Sequence, residues 1–419
     1  MEGLIRFHKM RKTITLLIML VATIYGWGQR TVLSGTVADA VTGKTLPRAS
    51  VKAADVTVVT NDDGFFTLKC DTRPQTLTVS HVGYKSQHVT LNIQTDTEAE
   101  TPLNVRLKPT TIQLSEVFVM ADDPRELVMA AIKRIAANYA RQPELYHCFY
   151  RETVTKRQHY ISVAEGVMDM YKTPYSRSTS RDRVSIRKGR RLLSPRQGDT
   201  LSVKVLGGPV ASVNLDLVKN SDILLNMPDL DCYELKMEMP VSIGDRMQYV
   251  VSLAPRYQMS YALYFGRLYI DQETLAFTRA ELSLDMSDRE KATRAILVRK
   301  PAGVRFRPKE MSLLVDYRLG HDGVTRISYL RTVFSFNCDW RRRLFATSFT
   351  ACCEMAVTNM DEGDARPITG RESFDQRDAF FDRVDFFRDP DFWQDYNIIE
   401  PTESLDKAVD RLLKRYDRK

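Results

Sequence analysis

The sequence predicts a mainly β protein in which a small N-terminal β-sandwich precedes a larger α+β domain with an extended, curved antiparallel sheet. Three patterns carry that prediction. Residues 31–108 break into short alternating segments separated by turn-forming residues, as a sandwich requires. One amphipathic helix follows at Arg125–Tyr139. From Leu145 the apolar period drops toward two, the period of a strand with one face buried.

Composition agrees. The 419-residue chain, 43% hydrophobic and 27% charged, has the make-up of a folded protein with room for two or three cores. Its formal charge of +8 is unevenly placed. Arg177–Arg196 holds eight basic residues against Asp182, a net of +7, and the rest of the chain after residue 28 is slightly acidic. Cys70, Cys148, Cys232, Cys338, Cys352 and Cys353 show no C-x-x-C spacing. They are expected to be mainly small buried residues, with one long-range disulfide left open.

Residues 1–28 read as an export address. Arg6, Lys9, Arg11 and Lys12 precede the apolar run Thr13–Tyr25, and Gly26 and Gly28 supply small residues at a cleavage point. That run is short for a permanent bilayer span, and no cysteine lies near residues 20–30 to accept a lipid. The expected protein is exported, periplasmic or outer-membrane-associated, and soluble once the leader is removed. Retention of the leader as an anchor is the alternative.

Within 31–108, Thr31–Ala38 alternates, Ala40–Lys44 turns, and Val56–Thr60 is strand-like. Asn61–Gly64 makes a tight turn in which Gly64 suits a left-handed backbone. Phe65–Leu68, Gln75–His81, Lys85–Ile93 and Leu103–Leu107 complete six or seven strands. The stretches Ser34-Gly35-Thr36-Val37, Thr42-Gly43, Leu46-Pro47, Ala49-Ser50-Val51, Thr60–Phe66 and Ser80–Tyr84 occur in an order that resembles the carboxypeptidase-regulatory-like domain. That resemblance implies a transthyretin-like β-sandwich, a non-peptidase module common at the front of exported Bacteroidetes proteins. The segment between Val51 and Thr60 is shorter than in many relatives, which implies a trimmed loop.

A linker is expected at 109–124, with Asp122 or Asp123 capping the helix and Pro124 in its first turn. Strands are expected at Tyr146–Val154, Tyr160–Tyr171, Tyr233–Met239, Met247–Leu253, Tyr264–Asp271, Thr274–Leu284, Glu310–Leu319, Thr325–Phe336 and Phe345–Val357. Asp271–Glu273 and His321–Gly323 are the turns between paired strands. Residues 125–419 are read as one domain, with a split near Arg190–Gly198 as the alternative. Phe149–Glu152, Glu165-Gly166, Tyr171-Lys172, Gly266–Asp271, Asp391–Trp393 and Tyr396–Pro401 resemble the partner domain behind such sandwiches in uncharacterised exported Bacteroidetes proteins. This resemblance carries compartment and architecture, with an analogy to lipoprotein-carrier-like folds, but no mechanism.

No catalytic or metal motif is present, and His81, His88, His147, His159 and His321 form no ligand pair. No catalytic residue, metal or cofactor is assigned. In a strand Tyr150 and Glu152 share one face, and Phe149 and Arg151 the other. Arg151 is expected to pair with Glu165, as a structural ion pair or as an anion- or peptide-binding spot. Arg187, Lys188, Arg190 and Arg191 head the basic run, read as a solvated loop or hairpin, or as a contact for acidic lipid headgroups or polyanionic glycans. Nucleic acid is excluded by the leader and by the lack of a reading motif. The aromatic tail Phe374–Tyr396 is expected to clamp onto the domain, with Trp393 also suited to stacking on a sugar. The leading reading is a non-enzymatic envelope protein that binds or scaffolds a protein, glycan or lipid. The alternatives are carriage of an apolar ligand in the sheet cavity, or a hydrolase using two carboxylates roughly 5–9 Å apart.

Overall fold

The computed structural model describes residues 30–91, 102–110, 123–196, 199, 207–297, 303–340, 346–361, 363, 365–387, 389 and 391–416. The expected leader and residues 111–122 of the expected linker lie outside them.

The N-terminal unit is a sandwich of seven strands: β1 (Thr31–Asp39), β2 (Ser50–Ala53), β3 (Val56–Val59), β4 (Phe65–Cys70), β5 (Thr76–Ser80), β6 (Gln87–Thr90) and β7 (Leu103–Leu107). One sheet runs β4-β1-β7 and the other β3-β2-β5-β6. Alternate residues point inward, so Leu33, Val37, Val51, Phe66, Leu68, Leu77 and Val79 form one core. The Asn61–Gly64 turn closes as expected: Gly64 has φ +76°, and Asn61 Oδ1 accepts from the Asp63 and Phe65 amides. The trimmed segment is a tight β2–β3 hairpin through Ala54 and Asp55. Thr110 still bonds the sandwich through Gly83, whereas Pro124 already belongs to the first helix.

The remainder carries α1 (Pro124–Asn138), β8 (Glu144–Lys156), β9 (His159–Lys172), β10 (Arg183–Leu193), α2 (Gly208–Asn214), β11 (Tyr233–Ile243), β12 (Arg246–Pro255), β13 (Tyr264–Asp271), β14 (Phe277–Leu284), α3 (Arg289–Ile296), β15 (Val304–Leu319), β16 (Thr325–Trp340), β17 (Thr347–Met360), β18 (Asp385–Phe386) and α4 (Glu403–Tyr416). Its strands form one open sheet, ordered β11-β12-β13-β14-β15-β16-β17-β8-β9-β10-β18. β17 returns to pair with β8, so strands from either side of Arg190–Gly198 lie in this one sheet. Asp123 caps α1 by accepting from the Arg125 amide, with Pro124 in the first turn.

Of the two expected forms, loop or hairpin, the basic run takes the second. Most of it is β10, paired along its length with β9. A bulge between Ile186 and Lys188 interrupts the alternation, which is why the strand does not show in the residue pattern. α2 and α3 were likewise not expected.

The sheet has two different faces. On the inner face, α1 and α2 pack with Tyr146, Tyr150, Met168, Leu268, Ile270, Phe277 and Leu313. There Lys172, Asp182, Asp216 and Lys219 form a charge-balanced buried cluster, with Lys172 2.7 Å from Asp216 and Lys219 2.6 Å from Asp182. Burial, then the neighbouring Lys172, pushes Lys219 down to about 8.

The tail wraps the β10 edge and joins both faces. Phe374 and Phe380 are buried on the inner side, and β18 then runs parallel to Arg190 and Arg191. Trp393, Ile398 and Ile399 are buried on the outer side against Phe149, Val167, Tyr329 and Ala356. Gly166 lets the Phe380 ring sit directly on β9, since a Cβ there would lie 2.7 Å from the ring. The sandwich docks on that outer face. Asn61 Nδ2 donates to the Pro401 carbonyl at 2.8 Å, and Lys69 exchanges two backbone bonds with the Asn397 side chain at 2.8 and 2.9 Å. Val59 enters the tail's apolar cluster.

Candidate functional site

Strand register lines up one row of side chains across the outer face: Arg267, Glu281, Leu314, Arg331, Glu354, Arg151, Glu165 and Arg190, from β13, β14, β15, β16, β17, β8, β9 and β10. Apart from Leu314 the signs alternate, so each charge faces an opposite one on the next strand.

The β8–β10 end of the row is closed. Glu165 accepts from Arg151 Nε at 2.8 Å, Arg190 Nε at 3.0 Å and the Trp393 indole at 3.2 Å. Arg151 also donates to the Ile399 carbonyl at 2.6 Å. Burial opposes ionisation of Glu165, but the two guanidiniums prevail and hold its carboxyl below the usual range. Arg190 lies 3.7 Å from the Phe387 ring centre, and Lys188 sits 4.1 Å over Phe392 while donating to its carbonyl. Thus Arg151, Glu165, Arg190, Trp393 and Lys188 come together as a lock on the tail. Arg187 goes instead to Asp169 at 2.6 Å, and Arg191 to the Phe381 carbonyl at 2.7 Å. The basic strand therefore directs much of its charge onto internal acceptors, with Arg177, Arg181, Arg187 and Arg196 left exposed.

The β13–β16 end of the row is open. Here Arg48 of the sandwich and residues of the sheet bound a groove of about 840 Å³. Leu314 and Val333 line it, and Phe265 stands 46% exposed at its rim. Arg267 is paired with Glu238 at 2.7 Å, and Arg279 with Glu281 at 2.7 Å and Asp316 at 3.0 Å. A smaller pocket of about 200 Å³ shares Arg48, Arg331 and Val333 with it and runs toward Glu400 and Thr402 of the tail. Met239, Tyr257 and Tyr261 add exposed apolar surface near β11, which among the described strands pairs only with β12.

Arg48 stands where the two pockets meet. Its backbone is left-handed, φ +60°, a conformation that costs a non-glycine residue roughly 1–2 kcal/mol. Its side chain reaches Asp62 at 3.2 Å, while Nε is buried without a hydrogen-bond partner. Arg331 meets the same Asp62 at 3.5 Å. The groove thus offers fixed charges of both signs over apolar side chains. Among the described residues no group of three His, Cys, Asp or Glu side chains is arranged to hold a metal. Glu152, pushed up to about 7 by burial, lies on the inner face beside Tyr150, away from the groove.

Sequence reasoning missed Arg48, Arg267, Arg279 and Arg331. Arg267 and Glu281 share one hairpin, but a bulge between Tyr269 and Ile270 shifts the β13–β14 register by one residue, so the turn at Asp271–Glu273 alone does not give their pairing. The others depend on strands far apart in the chain.

Residues 33–119 match the CarboxypepD_reg-like domain family, and an N-terminal domain of this type is present. No curated protein matches the chain in sequence. Solved structures similar to it include a DUF1329 family protein from Desulfovibrio piger, with 11% identity over 58% of this chain and 95% of that one and a TM-score of 0.25. A LolA superfamily protein from Nitrosomonas europaea gives 14% identity over 58% and 96%, with a TM-score of 0.20. A protein of unknown function from Bacteroides fragilis gives 9% identity over 79% and 98%, with a TM-score of 0.16. At such scores neither kinship nor function passes from these proteins to this chain.

Proposed function

We propose that this is a non-enzymatic, exported protein of the cell envelope that binds a polypeptide partner in the groove between its sandwich and the outer face of its sheet. The leader pattern and the resemblance of both halves to exported Bacteroidetes proteins support the compartment. Among the described residues no helix is long and apolar enough to cross a membrane. The observation that carries the binding reading is Arg48, kept in a strained backbone at the meeting point of two pockets with part of its guanidinium group unpaired. Strain held at such a point supports a role in recognition, because folding alone would favour glycine there.

The carrier reading has less support. The inner face, where an apolar ligand would lie, is filled by α1, α2 and the rings of Tyr139, Phe277, Phe374 and Phe380.

Arg48→Gly separates binding from folding. Relief of the left-handed strain offsets glycine's extra chain entropy, so the variant is expected within about 1 kcal/mol of the parent in a urea titration. Partner affinity is expected to fall about tenfold or more, equivalent to roughly 1.4 kcal/mol. Retention of the envelope partner by Arg48→Gly at parental strength would count against the groove.

A further inference from the structure

A separate pocket, of about 500 Å³, shares no lining residue with the groove or its smaller neighbour and lies between the β2–β3 hairpin of the sandwich and the β15–β16 turn of the sheet. Arg318 enters it from β15. Its guanidinium donates to Thr57 Oγ1 at 2.6 Å and Ser50 Oγ at 2.9 Å, both neutral acceptors. The nearest acid on its own strand, Asp316, is occupied by Arg279 at 3.0 Å. Lys52 Nζ lies 3.0 Å from His321 Nε2. An ammonium has only protons to give, so the ring nitrogen is the acceptor. Asp322 is taken by Arg326 at 2.6 Å, which leaves Asp55 in the β2–β3 turn as the remaining acid of the lining.

Lys52 and Arg318 therefore gather at this seam with one free carboxylate of the lining, Asp55, between them, an imbalance that a bound anion would complete. Burial pushes Arg318 down to about 10, and Lys52 is lowered by burial and then by Arg318. Two of the five guanidinium protons of Arg318 are used, and three remain. Thr57 accepts from it, so it keeps its own O–H to donate. Phosphate oxygens match such a set of donors.

We propose that this seam pocket binds a phosphate group, held by Arg318 with the Thr57 hydroxyl, and by Lys52 on the His321 side. Because its donors come from both halves of the chain, the bound anion would also brace the sandwich against the sheet.

The test is thermal unfolding of the full chain with inorganic phosphate, at constant ionic strength against chloride. The parent is expected to gain several degrees at millimolar phosphate, and Lys52→Met to lose most of that gain. Lys52 is partly exposed, so this variant folds; Arg318→Met serves as the second variant, read by calorimetric phosphate titration at a temperature where it is folded. Co-sedimentation with phosphatidylglycerol vesicles that is lost in Lys52→Met assigns the phosphate to a lipid headgroup. Phosphate stabilisation without vesicle capture assigns it to a soluble anion. The proposal is overturned if phosphate does no more than chloride for the parent, or stabilises Lys52→Met as strongly as the parent. The groove around Arg48 is untouched by either outcome.

Discussion

Replacing Glu165 with alanine is expected to lower stability by about 3–5 kcal/mol and to loosen the tail over Phe392–Ile399. Glu165 is the one carboxylate shared by Arg151 and Arg190, and the Arg151 and Glu165 side chains are only 4% and 3% exposed. Removing it takes from two buried guanidiniums the carboxylate between them, leaving Arg151 only Glu354 on the next strand and the Ile399 carbonyl, and takes the acceptor from Trp393. The loss follows from stranding those charges, and the intact triad need not be worth as much. Denaturant unfolding checks the magnitude, and hydrogen exchange at the Trp393–Ile399 amides checks the location. An unchanged midpoint would mean that the tail is held by its rings alone.

The second large effect is a dependence on pH. Glu152 is buried on the inner face with Tyr150 as its donor at 2.7 Å, and burial lifts its carboxyl from 4.5 to about 7. The folded form therefore holds a proton that the unfolded chain has already released between these values. Stability falls as pH rises through that window, and the deficit is fully developed above about pH 7. A shift of this size corresponds to about 3 kcal/mol. Glu152→Gln keeps the acceptor for Tyr150 and cannot ionise. It is expected to match the parent near pH 4 and to exceed it by about 3 kcal/mol at pH 8. Unfolding of both proteins across that range checks it, and parallel profiles would contradict it.

Local signals carried much of the fold. Asp123 and Pro124 marked the start of α1, Asn61–Gly64 the tight turn, and period-two alternation placed Tyr150 with Glu152 and Arg151 with Phe149. The Arg151–Glu165 pair also followed from one hairpin. What stayed hidden depends on distant contacts. β10 was masked by its bulge and by basic residues whose acceptors lie far along the chain, as Lys188 shows by donating to the Phe392 carbonyl. The docking of the sandwich rests on contacts such as Asn61 with Pro401, which no local pattern announces. The groove is a product of that docking, so its arginines could not be grouped before the two halves were placed together.

Site-specific photo-crosslinking tests the central claim most directly. A crosslinking residue at Val333, which lines both pockets, is compared in producing cells with one at Arg141, an exposed position just beyond α1. The account predicts one discrete polypeptide adduct from Val333, none of it from Arg141, and its loss in the Arg48→Gly background. No adduct from Val333, or the same adduct from both positions, would contradict a partner held between the sandwich and the sheet.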